Sequence, residues 1–131
     1  MSETTARLHH WDEVPLEAVG PMLDRQIVSC ERMMISQIHL KQGALVPRHS
    51  HLNEQITYML KGALKFWIGE QGETVFIARP GDVVTIPSNV PHRAEALEDT
   101  LEIDIFNPPR QDWLDKTDSY IQSGVDDHLR G

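Results

Sequence analysis

One cysteine, Cys30, is all the chain has, so no intrachain disulfide can form. Stability must therefore come from a hydrophobic core, which 131 residues suffice to build without staples. A lone thiol fits a reducing compartment. Cys30 lies between two β-prone runs with only Arg32 nearby, and reads as an inert structural thiol. Positive charge is also scarce. Twelve Lys and Arg stand against 20 Asp and Glu, a formal net charge of −8. Such a surface repels phosphate backbones and anionic lipid, which excludes nucleic acid and membranes as partners. An anionic small molecule is still admissible where a few arginines converge. Long apolar runs are missing: nothing approaches the roughly 20 residues of a membrane span. The opening MSETTARLHHW has no apolar stretch of the signal-peptide kind. The expected location is the cytoplasm.

What is present is a succession of short β-prone runs punctuated by Gly, Pro and Asp. They cover 22–29, 32–41, 55–61, 63–69, 74–79, 82–86 and 100–106. Strands recurring with turn signals every 8 to 12 or so residues predict an all-β sandwich or barrel. No repeat or low-complexity stretch breaks the pattern, so one domain is expected. From Gln111 the spacing of Trp113, Thr117 and Tyr120 or Ile121 becomes helical behind Asn107-Pro108-Pro109. A short helix over about 111–121 should pack Trp113 on the barrel, with a frayed tail from 122 to 131.

Seven histidines stand out in so acidic a chain. His9, His10 and His128 sit in polar terminal segments and read as solvated. His39 belongs to an alternating strand, where it is a surface or hydrogen-bonded residue. His49 and His51 differ, because residues two apart in an extended segment point the same way and can reach one metal ion. The run 100–106 alternates Glu102, Asp104 and Phe106 on one face with Leu101, Ile103 and Ile105 on the other. Burying the aliphatics is the plain reading; a barrel with a functional cavity favours the acids inside.

Two gapped blocks tie these residues together. The first runs Gly43-Ala-Leu-Val-Pro-Arg-His49-Ser-His51-Leu-Asn-Glu-Gln55 and reaches Gly62; the second runs Gly81-Asp-Val-Val-Thr-Ile-Pro87-Ser-Asn-Val-Pro-His92. They resemble the paired motifs of the cupin superfamily, G-x5-H-x-H-x3,4-E-x6-G and G-x5-P-x-G-x2-H-x3-N. Gln55 replaces the glutamate, Asn89 the glycine and Ala96 the last asparagine. The resemblance implies a double-stranded β-helix, or jelly-roll barrel, with a core over about 22–110 in a single cupin domain spanning 1–131. It further implies one divalent transition metal (Zn, Ni, Fe, Mn or Cu) held by His49, His51, Gln55 and His92. Glu54 is the rival to Gln55, but the motif spacing selects Gln55, and neighbouring strand residues face opposite ways. Gly62 and Gly81 fall at hairpin ends, and Pro87 and Pro91 stiffen the approach to His92.

Between Gly43 and Trp113 the chain is also similar to the KdgF pectin-degradation proteins. That similarity implies ring opening of 4,5-unsaturated uronates to linear 5-keto-4-deoxyuronates. The implied functional residues are Asp104 as proton shuttle, Phe106 as apolar wall and Arg110 as holder of the substrate carboxylate. Arg48 and Arg93 flank metal ligands in strand and should point outward. Four neutral ligands would leave the metal charge uncompensated, suiting an anionic sugar acid. Other metal-dependent cupin enzymes, such as dioxygenases, and a non-catalytic small-molecule-binding cupin are the alternatives. By analogy with small cupins, a homodimer is expected.

Overall fold

Residues 5–118 are described in the computed structural model of the chain. The strands are β1 (Glu17–Gly20), β2 (Leu23–Ser29), β3 (Met34–Leu40), β4 (Leu45–His49) and β5 (Glu54–Lys61). They continue as β6 (Leu64–Ile68), β7 (Thr74–Ala78), β8 (Val83–Ile86), β9 (His92–Ala96) and β10 (Thr100–Asn107), followed by one helical turn, α1 (Gln111–Leu114). Two antiparallel sheets form, ordered β1-β2-β3-β10-β5-β8 and β4-β9-β6-β7. Their inner faces enclose a core in which Met34, Ile38, Met59 and Phe106 of the larger sheet share one cluster with Leu64 and Phe66 of the smaller.

All seven expected runs are strands, and three more strands join them. The additions are the weak β-formers. In β4, Pro47 removes a backbone donor, which an edge strand tolerates. In β9 the inward positions carry only His92, Ala94 and Ala96. The short β1 pairs with β2 through an irregular register and extends the sheet before residue 22. The expected helix over 111–121 is shorter: it is the single turn Gln111–Leu114, and Lys116 beyond it has φ 59. Trp113 is buried as anticipated. Tyr120, Ile121, the tail and His128 lie outside the described residues.

Turn chemistry explains two motif positions. At Gly62, φ is 88 and a Cβ would lie 2.4 Å from the Asp99 carbonyl oxygen, so only glycine fits. Asn89, standing where the motif has glycine, adopts φ 64, a conformation asparagine accepts better than most residues.

The alternation in β10 resolves with the acids inward. Glu102, Asp104 and Phe106 are buried, while Leu101, Ile103 and Ile105 form part of the outer face. Cross-strand register then aligns Ser36, Asp104 and Thr57 on three neighbouring strands, a polar rung inside the barrel.

Candidate metal centre

His49 closes β4 and pairs in register with His92, which opens β9. His51 follows two residues on, in the link to β5, and Gln55 is the first inward residue of β5. The two sheets thus bring four side chains to one point. One nitrogen from each of His49, His51 and His92 lies within 4.8 Å of the others.

Hydrogen bonding fixes the tautomers. The Nδ1 atoms of His49, His51 and His92 sit 2.8, 2.9 and 2.9 Å from the backbone carbonyls of Pro47, Asn53 and Val90. A carbonyl oxygen only accepts, so each Nδ1 carries the proton and each Nε2 offers a lone pair. Burial holds these rings neutral. It pushes His51 and His92 down to about 4, and His49 well below its usual value, where protonation would also meet repulsion from the neighbouring His92 ring were that ring charged. His92 Nε2 is buried without a hydrogen-bond partner. His51 Nε2 lies 3.1 Å from Gln55 Oε1. Two lone-pair atoms facing each other at that distance repel unless a cation stands between them. The donor set therefore fits a divalent metal, with backbone carbonyls orienting each imidazole from behind.

Gln55 is buried and Glu54 is exposed, as strand alternation requires. The Gln55 amide nitrogen donates to Thr57 Oγ1 at 2.9 Å and approaches Asp104 Oδ1 at 3.4 Å; Thr57 Oγ1 donates to the same oxygen at 2.6 Å. Asp104 is buried beside Glu102. Burial and the neighbouring Asp104 push Glu102 well above the carboxylate range, so Glu102 is the protonated partner and hydrogen-bonds Asp104.

Beyond the imidazoles lies a cavity of about 50 Å³, lined by Gln55, Glu102, Asp104, Phe106, Arg110 and Trp113 among others. Arg110 is not at the surface. Its guanidinium is buried, donates twice to Asp112 at 2.9 and 2.8 Å, and stacks on Phe106 and Trp113. Phe106 meets His51 edge-on at 5.7 Å between centroids, standing between the histidines and Trp113.

The cupin-domain family model matches residues 36–106, more than half of the chain. The chain belongs to the cupin family. It is similar to the solved structure of KdgF from Halomonas sp., at 32% identity over 78% of this cupin and 94% of that chain, with a TM-score of 0.72. An RmlC-like cupin from Shewanella frigidimarina shares the fold at 24% identity and TM-score 0.76, over 83% of this chain and 96% of that one. Bacillus subtilis oxalate decarboxylase, a protein with Mn(II) centres, shares the fold at 21% identity and TM-score 0.68, over 82% of this chain and 31% of its own. Among curated proteins none matches.

Sequence reasoning put Glu102 on the inward face without giving it a role, and passed over three further residues that shape this cupin's site. Thr57 and Asp112 act through a register partner or a turn, which spacing alone does not reveal. Arg25, charged and buried in β2, lies over the Trp113 ring at 4.7 Å and pairs with Glu17 and Asp118. An arginine on the inward phase of a strand was the available signal. Elsewhere, Arg48 and Arg93 lie on the outer side, Arg48 near Glu70 and Arg93 over the Trp67 ring. His39 bonds Gln26 Oε1 at 3.0 Å; His9 and His10 are exposed. Cys30 is exposed in the β2–β3 turn, not packed as a structural thiol. Among the described residues, no helix is long and apolar enough to cross a membrane.

Proposed function

We propose that this cupin binds one divalent metal on His49, His51, His92 and Gln55 and isomerises 4,5-unsaturated uronates to linear 5-keto-4-deoxyuronates. The observation carrying the proposal is the convergence of four neutral lone pairs with a buried Asp104 carboxylate behind them. Likeness to KdgF supports the choice of substrate. A bound metal would supply Lewis-acid polarisation of a substrate oxygen. Asp104 takes the proton from the anomeric hydroxyl as the C1–O5 bond opens, which leaves an aldehyde at C1 and an enolate across C4, C5 and O5. The same proton returns at C4, giving the ketone at C5, so atoms balance with no redox step. Arg110, its plane held by Asp112, anchors the substrate carboxylate. Phe106 walls the ring and limits water.

The cavity is about 50 Å³, well below the roughly 300 Å³ of a typical small-molecule pocket. A cavity of this size holds only part of a sugar acid, so the rest of the ring would extend beyond the lining residues. The same small volume favours a second reading, a module that binds a ligand of a few heavy atoms without turnover. Absorbance of the conjugated enol ether distinguishes them. Metal-loaded protein should bleach unsaturated galacturonate, and Asp104→Ala, still folded, should lose about 10²–10⁴-fold in rate. Tight metal binding with no bleaching of any unsaturated uronate selects the second reading.

A second copy of the chain is the protein partner that the surface fits. On the outer face of the six-stranded sheet Ile56, Tyr58, Leu60 and Val83 are 40–59% exposed, next to Ile103 and Ile105. A largely apolar patch of this kind, with Glu54 at its margin, suits packing on its own two-fold image.

A further inference from the structure

Thr57 is fully buried on the inner face of β5, in register with Asp104. Its hydroxyl has one proton to give. Asp104 Oδ1 accepts it at 2.6 Å, so the Thr57 oxygen has only lone pairs left for Gln55, 2.9 Å away. The group it meets there must be the amide nitrogen. That nitrogen also points toward Asp104 Oδ1 at 3.4 Å. Turned over, the amide would set its oxygen against a hydroxyl lone pair and a carboxylate oxygen at once. One orientation survives, and in it Oε1 faces the point on which the three Nε2 atoms converge.

We propose that Thr57 is a positioning residue of the metal centre: it relays the acceptor character of Asp104 to Gln55, so that the amide presents its oxygen, not its NH2 group, to the metal. The proposal rests on the reading of Gln55 as a ligand and deepens it. It also accounts for an amide standing where the family motif has glutamate. A carboxylate at position 55 would place its oxygens against Thr57 Oγ1 and Asp104 Oδ1 with no proton to offer either. Asp104 and Gln55 are in this sense a matched pair, joined by a hydroxyl that must both give and receive.

The test is zinc affinity of the metal-stripped full chain, measured by competition with a chromophoric chelator, independently of turnover. Thr57→Val keeps shape and removes the hydroxyl; it should weaken Zn²⁺ binding by about 10–100-fold, the usual range for a group that orients a ligand. Thr57→Ser restores the hydroxyl and should bind within about threefold of the parent chain, a recovery that shape alone does not predict. Thr57→Ala, which leaves slack where Val fails to pack, should show the same loss as Val. Gln55→Ala separates the two ideas. If Gln55→Ala weakens binding while Thr57→Val and Thr57→Ala do not, the positioning role is wrong and the ligand assignment stands. If Gln55→Ala leaves the affinity unchanged, the ligand assignment falls and the positioning role falls with it.

Discussion

Lowering the pH from 7 to 5 should leave metal binding almost untouched. An ordinary imidazole, with a pKa near 6.5, is roughly 97% protonated at pH 5, and proton competition weakens its binding about 30-fold. Two such ligands would together lose about 1,000-fold. Burial holds His51 and His92 at about 4. At pH 5 each is therefore mostly neutral, and the pair loses at most a few-fold. The sign follows from desolvation, which penalises the charged ring in the folded chain and not in the unfolded one. By the same linkage the metal-free fold loses stability as the pH falls from about 6.5 toward 4, because the unfolded chain takes up protons that the buried rings refuse. Glu102 opposes that trend: its raised pKa means that acidification relieves a burial penalty. Affinity is thus the cleaner readout. Chelator competition for Zn²⁺ at pH 7, 6, 5 and 4, corrected for the chelator's own protonation, reads it directly, and circular dichroism checks that the fold persists. A loss of 100-fold or more between pH 7 and 5 would mean that the imidazoles titrate as solvated groups, and the buried convergence would be refuted.

Two glycines make a paired test of backbone against space. Gly62→Ala should cost about 3 kcal/mol, combining a left-handed backbone with a clash against the Asp99 carbonyl, whereas Gly81→Ala, with nothing within 4 Å, should cost about 1 kcal/mol. Equal urea midpoints for the two variants would contradict this. Replacing Tyr58 by Asp on the outer face should convert a dimer to a monomer in light scattering; a parent chain already monomeric at micromolar concentration removes the proposed self-association. Arg110→Lys loses the pair of hydrogen bonds to Asp112 and the stack on Trp113. It should raise KM for an unsaturated uronate at least tenfold, and an unchanged KM would show that Arg110 does not hold the substrate.

The fold was legible where strands carry β-branched and aromatic residues, and faint where they do not. β9 reads His-Arg-Ala-Glu-Ala and β4 contains Pro47, so neither announces itself, although each carries a histidine of the centre. His49, His51 and His92 could be found because local spacing and two gapped motifs point to them. Thr57 could not, since its importance arises only when β10 settles against β5 in one register. Arg25 meets Asp118 across 93 positions of sequence, a distance that no local pattern bridges. The orientation of β10 was open for a related reason: alternation shows that two faces differ without saying which turns inward.

That inverted strand has a consequence for how the molecule finds its shape. Hydrophobicity alone would turn Leu101, Ile103 and Ile105 into the barrel, and a slip of one residue does just that. Such a form would be greasy inside, stable in outline and chemically inert. What stops it is the corner where Gly62 passes close to Thr100, with Thr100 Oγ1 bonded near Ala63 and the extra residue between Lys61 and Met59 absorbed opposite Leu101 and Glu102. A loop remote from any catalytic atom thereby decides whether the protein folds into a working vessel or an empty one.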